Sequence, residues 1–345
     1  MKKTYTLRRC VFQLLCALSM PLMLLTSSCQ KNVAESSALK GKSNISFKSN
    51  TRSVFVSHAV INLSGVSNQT IRGDSINPLN ADTACIYLYN CTNIHITRCK
   101  LMNSGSYGIY MQGCSNILID SCLITNVRAG VLAVLCPSGQ IRVLSNQMQN
   151  MKGPYPHADF VQFDQVAGTF NRISFNKLEN QGLDTINYLP EDGINCYKSS
   201  GTSTDNIAIV SNEIRGGGPS RTGAGIVVGD GGGNYISVTG NTLVNTGYGG
   251  INCAGGSNNS VTNNRIYSQT EPWSGFGLAS TNFTGVTSSG NTMSGNLVNW
   301  TTYSGSTRDT VWKPLNNPLP SGWSTNTIHA SINASMLPTV LIDYH

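Results

Sequence analysis

The amino-acid sequence predicts an all-β fold, a parallel β-helix with about eight to ten coils. Three observations lead to this prediction. One short strand pattern recurs at a coil-length period, a second short strand recurs between its copies, and Asn or Cys occupies one position of the first pattern. Gly, Asn and Ser separate these segments, and helical spacing of apolar residues is absent from them. Because one coil cannot bury its own inner face, we expect the coils to stack around a shared core.

The first pattern reads apolar, any residue, apolar, two residues, Asn or Cys, any residue, apolar. It occurs in NIHITRCKL (93–101), NILIDSCLI (116–124), QIRVLSNQM (140–148), NRISFNKL (171–178), NIAIVSNEI (206–214), YISVTGNTL (235–243) and SVTNNRI (260–266). The marked position is occupied by Cys99, Cys122, Asn146, Asn176, Asn212, Asn241, Asn264 and, as an eighth member, Asn291. Asn side chains stacked at a turn can hydrogen-bond along the column, which explains the choice of Asn there.

The second strand lies between copies of the first. Its copies are YGIYMQ (107–112), AGVLAV (129–134), DFVQFD (159–164), DGINCY (192–197), AGIVVG (224–229) and GGINCA (249–254). Alternation of period two in both segments predicts strands. Several cysteines keep the same register, with Cys91, Cys114 and Cys136 one coil apart. Neighbouring coils about 4.8 Å apart would allow disulfides, but packed free thiols are the simpler expectation.

The first residues predict export. MKKTYTLRR is a basic segment, and the apolar run that follows is too short and too interrupted to span a membrane. The run ends in LTSSC, which resembles a bacterial lipoprotein cleavage site with Cys29 as the lipidated residue; an ordinary secretory signal is the alternative. We expect a protein of the bacterial cell envelope, lipid-anchored on the periplasmic or cell-surface side of the outer membrane. Membrane contact is expected through the lipid alone.

Charge and composition limit the expected partners and indicate how the chain is divided into segments. The formal charge of the chain is +7, and four of its basic residues lie in the leader. The small excess that remains argues against nucleic acid as a partner. We expect a monomer with four segments: a lipoprotein signal peptide over 1–28, a tether over 29–50, the β-helix over 51–296 and a C-terminal cap over 297–345. The cap contains Trp300, Trp312 and Trp323, which we expect to cover the open end of the solenoid; stacking on sugars is the alternative.

Loop lengths locate a candidate cleft. The connections from the first pattern to the second strand are longest in three consecutive coils, over 149–158, 179–191 and 215–223. Insertions in a solenoid form loops, and such loops often border the binding face. Aligned by coil, four pairs are expected to stack: Asp159 on Asp192, Gln162 on Asn195, Asp164 on Tyr197, and Lys198 on Asp230.

Titratable groups of both signs gather at this corner. Two acids one coil apart cannot both ionise cheaply without compensation. The alternative is that Asp159 and Asp192 only cap the turns before their strands. The candidate catalytic residues are His157, Asp159, Asp192, Lys198 and Arg215. The candidate substrate-binding residues are Gln162, Asp164, Asn195, Tyr197, Arg221 and Asp230, of which the first four are expected to form a patch that faces solvent. The candidate calcium ligands are Asp159, Glu191 and Asp192.

The repeat architecture resembles the right-handed β-helix superfamily of pectate lyases and polygalacturonases, over roughly residues 51–296. The resemblance implies a right-handed coil and an acidic, uronic-acid-containing polysaccharide as substrate. The stretch EDGIN is similar to the polygalacturonase strand whose Asp is the general acid, with Asp192-Gly193-Ile194 as the matching residues. The other motifs of that hydrolase do not follow in the later coils. Calcium-assisted lyase-type β-elimination is therefore the first expectation, and hydrolysis by Asp159 and Asp192 is the second.

Two further alternatives stay open. Uronate epimerases share the proton abstraction that begins the elimination reaction. A non-catalytic glycan-binding or adhesion protein would need only exposed Asn, Gln and Tyr side chains, and the acids would then be incidental. Apart from calcium, we expect no cofactor, and we expect a polysaccharide as the partner.

Overall fold

The chain winds into a solenoid of parallel strands. The computed structural model describes residues 56–154, 158–180, 190–282 and 284–343. In those ranges no helix is long and apolar enough to cross a membrane. The helical turns found there are two short 3₁₀ segments, Trp323–Thr325 and Ala334–Met336.

Strands follow one another at short intervals along the described residues. They are β1 (Val56–His58), β2 (Ile61–Ser64), β3 (Ser67–Arg72), β4 (Asp74–Ile76), β5 (Ile86–Tyr89), β6 (Thr92–Thr97), β7 (Lys100–Met102), β8 (Tyr107–Gln112), β9 (Ser115–Asp120), β10 (Leu123–Thr125), β11 (Ala129–Val134), β12 (Ile141–Leu144), β13 (Gln147–Gln149), β14 (Val161–Asp164), β15 (Arg172–Ser174), β16 (Lys177–Glu179), β17 (Ile194–Tyr197), β18 (Ile207–Val210), β19 (Glu213–Arg215), β20 (Ala224–Asp230), β21 (Ile236–Thr239), β22 (Thr242–Val244), β23 (Gly249–Cys253), β24 (Ser260–Thr262), β25 (Arg265–Ser268), β26 (Phe276–Ser280), β27 (Thr292–Ser294), β28 (Leu297–Trp300) and β29 (Thr310–Trp312).

Every third strand belongs to the same sheet, and all pairings between these strands are parallel. Sheet A runs in the order β1-β4-β7-β10-β13-β16-β19-β22-β25-β28. Sheet B runs β2-β5-β8-β11-β14-β17-β20-β23-β26-β29, and sheet C runs β3-β6-β9-β12-β15-β18-β21-β24-β27. The predicted parallel β-helix is confirmed, with three strands to a coil.

The core follows from alternation along each strand. In β12, Ile141 and Val143 point inward and are buried, whereas Arg142 and Leu144 are half-buried on the outside. Their inward neighbours in the next coil are again aliphatic, since Val143 pairs with Ile173. Each such side chain contributes roughly 1.5–3 kcal/mol by leaving water, so shared stacking supplies the core that one coil lacks.

The first recurring pattern is two strands rather than one. Its front half belongs to sheet C and its rear half to sheet A, and the marked Asn or Cys lies at the corner between them. The residue before the Asn adopts a left-handed backbone, as at Ser145 (φ 54°), Phe175 (φ 59°) and Ser211 (φ 54°). This conformation turns the chain from one sheet to the next.

The predicted Asn column is present at this corner. The Asn176 backbone N–H donates to Asn212 Oδ1 (3.1 Å), and the Asn212 N–H donates to Asn241 Oδ1 (2.9 Å). Each side-chain amide also donates to the next Asn oxygen, from Asn176 to Asn212 at 3.0 Å and from Asn212 to Asn241 at 2.9 Å. At the N-terminal end of the Asn column, the Cys122 N–H donates to Asn146 Oδ1 at 3.0 Å. The column therefore satisfies buried backbone donors on consecutive coils.

The assignment of Asn291 to this column is wrong. Asn264 donates to Asn296 Oδ1 (3.0 Å), so Asn296 is the next member. Asn291 instead accepts the Asn259 N–H (2.9 Å) in a second column, at the corner where sheet C begins. Asn291 and Asn296 are each followed by one residue and then an apolar side chain, so the local pattern fits both positions.

Eight cysteines fall in the described residues, and all eight are free and buried. The Cys91 N–H donates to Cys114 Sγ (3.3 Å), which places these two thiols on neighbouring coils as the register predicts. Burial raises the pKa of Cys136 and of Cys196 to about 12. Protonated thiols are poor nucleophiles, so these cysteines act as core residues.

The C-terminal segment contributes strands to two of the sheets. Strands β28 and β29 extend sheets A and B beyond residue 296, and Trp300 is fully buried in the core. We call residues 329–343 the C-terminal strap, because they return along the outside of sheet A. There the Leu341 and Ile342 N–H groups donate to Glu179, both at 2.9 Å.

Candidate functional site

The long connections all join the end of a sheet A strand to the start of a sheet B strand. They link β13 to β14, β16 to β17 and β19 to β20. The next connection, β22 to β23, spans only residues 245–248. The predicted clustering of insertions at one corner therefore follows from the strand order, although residues 155–157 and 181–189 of these loops lie outside the described ranges.

Asp159 and Asp192 occupy the same position on adjacent coils, immediately before β14 and β17. The Phe160 N–H donates to the Asp192 carbonyl (3.4 Å), as parallel pairing of these coils requires. Glu191 precedes Asp192, and its N–H donates to the Ala158 carbonyl (3.2 Å). Carboxylate oxygens of the three acids lie within 4.8 Å of one another. We call Asp159, Glu191 and Asp192 the carboxyl cluster.

Each aspartate of the cluster also accepts a hydrogen bond from the backbone of the next coil. Asp159 Oδ1 accepts the Asp192 N–H (3.0 Å), and Asp192 Oδ1 accepts the Ala224 N–H (2.6 Å). Asn195 Nδ2 donates to Asp192 Oδ2 (2.7 Å) and fixes the orientation of that carboxyl group. Both aspartates therefore have a structural role, which links adjacent coils rather than capping their own turns and uses one oxygen of each carboxyl group.

The electrostatics of the cluster favour protonation. Asp159 and Asp192 are 2% and 4% exposed. Burial raises the pKa of Asp159 well above its usual value. Burial also raises the pKa of Asp192, and the nearby charges of Asp159 and Glu191 raise it further. Adjacent carboxylates cannot all ionise cheaply in a poorly solvated place, so the raised pKa values of Asp159 and Asp192 favour their protonated forms.

Glu191 differs from the two aspartates. It is half-buried, and Thr222 Oγ1 donates a hydrogen bond to Glu191 Oε1 (2.8 Å). Thr222 belongs to the third long connection, so three consecutive coils contribute to the cluster. Carboxylate oxygens are also the ligands that calcium prefers, and the three predicted residues together could hold one ion.

The predicted strand register above the cluster is confirmed in part. Gln162 pairs with Asn195, and Asp164 pairs with Tyr197. The expected solvent exposure of the first pair is wrong, because Gln162 is 5% and Asn195 8% exposed. Asp164 and Tyr197 are half-buried on the outer face of sheet B.

The predicted stacking of Lys198 on Asp230 is displaced by one residue. A bulge between Cys196 and Tyr197 shifts the register, so that Tyr197 pairs with Asp230. Lys198 is exposed, and its ammonium lies 4.9 Å from the Tyr197 ring centre. Burial raises the pKa of Asp230, and the Lys198 charge opposes that rise.

The two predicted arginines contact the C-terminal part of the chain. Arg215 Nη2 donates to the carbonyls of Ala334 (2.7 Å) and Leu337 (2.8 Å) in the strap. The Arg221 guanidinium lies 5.8 Å from the centre of the Tyr303 ring. Arg215 was expected to act beside the aspartates, and its docking with the strap, more than a hundred residues later, is a different role. His157 and Cys29 lie outside the described residues.

Sequence reasoning missed a group of side chains beside the cluster. Burial raises the pKa of Tyr107, the Arg128 charge lowers it and the Asp159 charge raises it. The ring centres of Tyr107 and Tyr110 are 5.4 Å apart, and those of Tyr110 and Tyr87 are 5.1 Å apart. The signal in the sequence was a Tyr at the same position of two consecutive coils.

Comparisons with known proteins agree with the fold. Residues 59–266 match the family described as Right handed beta helix region, and the chain belongs to this family. No curated protein matches the chain. A similar solved structure is DFA-IIIase from Arthrobacter chlorophenolicus A6 without its lid, with 14% identity, a TM-score of 0.46, and coverage of 77% of this chain and 58% of that chain.

The same enzyme in complex with GF2 is also similar, with 13% identity and a TM-score of 0.39. This match covers 78% of the chain and 59% of the enzyme. The chain thus spans less than two thirds of the length of the enzyme it matches in both cases.

Proposed function

We propose that this protein cleaves an acidic polysaccharide outside the cytoplasm by hydrolysis at the carboxyl cluster. The observation that carries the proposal is the trio of Asp159, Glu191 and Asp192, held within 4.8 Å at the corner with the long loops. Glycoside hydrolysis needs a carboxylic acid that stays protonated beside a carboxylate that stays ionised. Burial raises the aspartate pKa values and favours the first of these.

We assign the catalytic roles of the three acids according to how deeply each one is buried. The Asp159–Asp192 pair supplies the proton to the glycosidic oxygen of the leaving group. Glu191, which is less buried, attacks the anomeric carbon as the bond to the protonated leaving group breaks. A water molecule then gives a proton to the aspartate pair and releases the sugar from Glu191. Close spacing of the carboxyl groups suits such a retaining reaction, since an inverting pair needs roughly 6.5–9.5 Å to admit a water molecule.

Hydrolysis is favoured over elimination by the partners of two of the predicted basic residues. Elimination requires a base such as Lys, Arg, His or Tyr beside the carboxylate of the sugar. Lys198 interacts with Tyr197, and Arg215 with the strap. Arg128, at the neighbouring coil, supports an anionic substrate because it can pair with a uronate carboxylate. Envelope localisation through a lipid on Cys29 is part of the same proposal.

Calcium-dependent elimination is the second candidate, and one observation favours it. The three acids of the cluster could coordinate a divalent ion that bridges to the uronate. Tyr107, whose hydroxyl lies in the fields of Arg128 and Asp159, would then be the candidate base.

One assay separates the two reactions. Pectate, alginate and glucuronan are incubated with the purified protein, and reducing ends and the ultraviolet absorbance of unsaturated products are followed with and without EDTA. We expect new reducing ends without unsaturated products, insensitive to EDTA. Glu191→Gln should lower turnover by about 100-fold or more, whereas the control Ser237→Ala, on the half-exposed outer face of β21, should not. Unsaturated products that disappear with EDTA would assign the elimination reaction instead.

A further inference from the structure

We propose that a cavity between the edge of sheet A and the C-terminal strap binds a neutral sugar unit, which is held by hydrogen bonds and by the ring of Trp273. The cavity lies where the connections from β16 to β17 and from β19 to β20 begin, whereas Glu191 and Asp192 lie where the first of them ends. This binding site is separate from the carboxyl cluster and does not depend on cleavage there.

The cavity has a volume of about 370 Å³ and is formed by parts of the chain that are far apart in sequence. Asn180 and Arg215 line it from the ends of β16 and β19, Glu271 and Trp273 from the connection between β25 and β26, and Val340 from the strap. Ligand pockets have volumes of roughly 300–1,000 Å³, so this cavity suits a small molecule or the end of a short chain.

A missing side chain in the corner contributes to the space. Asn180, Gly216 and Asn245 directly follow the consecutive sheet A strands β16, β19 and β22, and all three line the cavity. Gly216 therefore has no side chain at a position where both neighbouring coils carry an amide. Its backbone is left-handed (φ 73°), and a Cβ atom would lie 2.3 Å from the Asn180 carbonyl oxygen, so another residue would not fit without a backbone shift.

Two buried N–H donors of the lining have no partner in the described residues. Asn180 is 4% exposed, and its Oδ1 accepts the Met151 N–H (3.0 Å), but its Nδ2 has no acceptor there. Arg215 uses Nη2 for the strap carbonyls, and its buried Nε is also without an acceptor. Because buried donors are normally satisfied, these atoms indicate a ligand that supplies acceptor oxygens.

Glu271 supplies an acceptor and Trp273 an apolar surface. Glu271 Oε1 accepts from Asn245 Nδ2 (3.1 Å) and from Gln269 Nε2 (3.4 Å), and Oε2 receives no hydrogen bond from the described residues. Trp273 is 8% exposed, yet it belongs to none of the apolar core clusters of the described residues. Its indole ring is therefore available to the cavity rather than required by the core.

The charges of the lining favour a neutral ligand. Arg215 and Glu179 have opposite charges, and the Glu179 carboxylate already accepts two strap N–H groups. An anion would meet Glu271 and a cation would meet Arg215 in a place with little water, where unpaired charge is costly. A neutral sugar offers hydroxyl groups that accept and donate hydrogen bonds, and its apolar face packs on an indole ring.

The test measures binding of glucose and galactose by saturation-transfer NMR titration, with their uronate and 2-amino counterparts as charged probes. We expect saturable binding of a neutral sugar, with a Kd on the order of millimolar for so small a ligand, and weaker binding of both charged forms. Galactotetraose tests a chain end: tighter binding than that of galactose would assign a chain end to the cavity, and equal binding a free monosaccharide.

Two variants locate the binding site. Asn180→Asp keeps the oxygen that accepts the Met151 N–H and removes the unpartnered donor, so it should weaken binding by about ten-fold, the scale of one lost hydrogen bond. Val340→Trp places a large side chain at the exposed rim and should abolish binding without touching a buried group. Val286→Trp is the matched control, because Val286 is also exposed but does not line the cavity.

Retention of neutral-sugar binding in Val340→Trp, or an equal loss in Val286→Trp, would overturn the proposal. Absence of saturable binding of both neutral sugars by the wild type would overturn it too. A charged form that binds more tightly than the neutral sugar, and is displaced by Val340→Trp, would reject the neutral ligand. Cleavage at the carboxyl cluster is measured separately by new reducing ends, so failure of either proposal leaves the other standing.

Discussion

The aspartates of the carboxyl cluster serve the fold and the proposed chemistry with different parts of one side chain. Asp159 Oδ1 and Asp192 Oδ1 each accept a backbone N–H from the next coil. An Asn at either position would keep that acceptor and lose only the acid. Replacement by Asn therefore separates the two roles, which replacement by Ala would not.

The first residue-scale prediction concerns pH. A raised pKa in the folded state stabilises the protein fully below the unfolded value of about 3.9, and this contribution is lost as the pH rises through the folded value. Burial raises the pKa of both Asp159 and Asp192. The free energy of unfolding should therefore fall as the pH rises above about 4, and Asp159→Asn with Asp192→Asn should flatten that decline. Urea titrations at a series of pH values measure it.

Asp205 is the control, because its pKa is lowered whereas the pKa values of Asp159 and Asp192 are raised. Burial opposes the shift, but hydrogen bonds from the Phe170 N–H and from Arg172 hold the pKa of Asp205 below its usual value. Ionised Asp205 therefore contributes to the free energy of unfolding above its unfolded-state pKa, and this contribution is lost as the pH falls. Asp205→Asn should therefore remove stability at neutral pH and leave the decline above pH 4 in place. If the free energy of unfolding depended on pH in the same way in the wild type and in the double Asn variant, the raised pKa values of Asp159 and Asp192 would be contradicted.

At the scale of elements, hydrogen-bonded columns of Asn side chains stabilise the repeat together with the three β-sheets. Asn212 is fully buried, and its side-chain amide donates to the Ile173 carbonyl (2.9 Å) and to Asn241 Oδ1 (2.9 Å). Its oxygen accepts from the Asn176 backbone and side chain. One side chain thus links three coils at the corner between sheets C and A.

The element-scale prediction is that Asn212→Ala destabilises the solenoid severely. The change leaves the Asn176 N–H and the Ile173 carbonyl buried without partners, and each lost partner costs about 1–3 kcal/mol. We expect a loss of about 3 kcal/mol or more in the free energy of unfolding. Ser237→Ala, on the half-exposed outer face of β21, should change it by less than about 0.5 kcal/mol. Equal unfolding midpoints for the two variants would show that the column is not a main source of stability.

The sequence predicted elements and register well where repetition supplied several copies of the same signal. The pairing of Gln162 with Asn195 followed from counting coils. The split of the first pattern into two strands was not foreseen, because period-two alternation continues on both sides of the corner. Asn291 and Asn296 show the limit of local patterns, since only the pairing of the last coils distinguishes them.

The site was predictable where it depends on coil register and not where it depends on distant contacts. Asp159 and Asp192 are register partners, so the sequence could bring them together. Arg215 docks with Ala334 and Leu337, and a contact at that separation leaves no periodic trace. The exposure of Gln162 was misjudged for a similar reason, since alternation tells which face a residue is on and not what covers that face.

At the scale of the whole molecule, the C-terminal strap connects coils that do not touch each other directly. Gln149, Glu179, Arg215 and Val244 lie on four consecutive strands of sheet A, and the strap contacts all four. The buried Glu179 carboxylate accepts two strap N–H groups, while Leu337, Leu341 and Ile342 pack with Val244. Solenoids are otherwise stabilised between nearest neighbours alone.

We therefore predict that the strap makes unfolding of these coils more cooperative. Leu341→Ala with Ile342→Ala removes two buried side chains, and each such loss costs about 2–5 kcal/mol when the contact is present in the cooperative unit. Val340→Ala is the control, because Val340 lies between the two anchoring regions of the strap and is exposed. We expect the double variant to lower both the urea midpoint and the m-value, or to divide unfolding into two steps, whereas the control matches the wild type.

Hydrogen exchange distinguishes this coupling from simple fraying of the chain end. If the strap opens on its own, the Leu341 and Ile342 amides exchange rapidly in the wild type and the double variant unfolds with an unchanged midpoint. If the strap belongs to the cooperative unit, those amides exchange as slowly as those of β16 and β19, and all of them become faster together in the double variant. We expect the second result, because the buried Glu179 carboxylate would lose two hydrogen-bond donors whenever the strap opened.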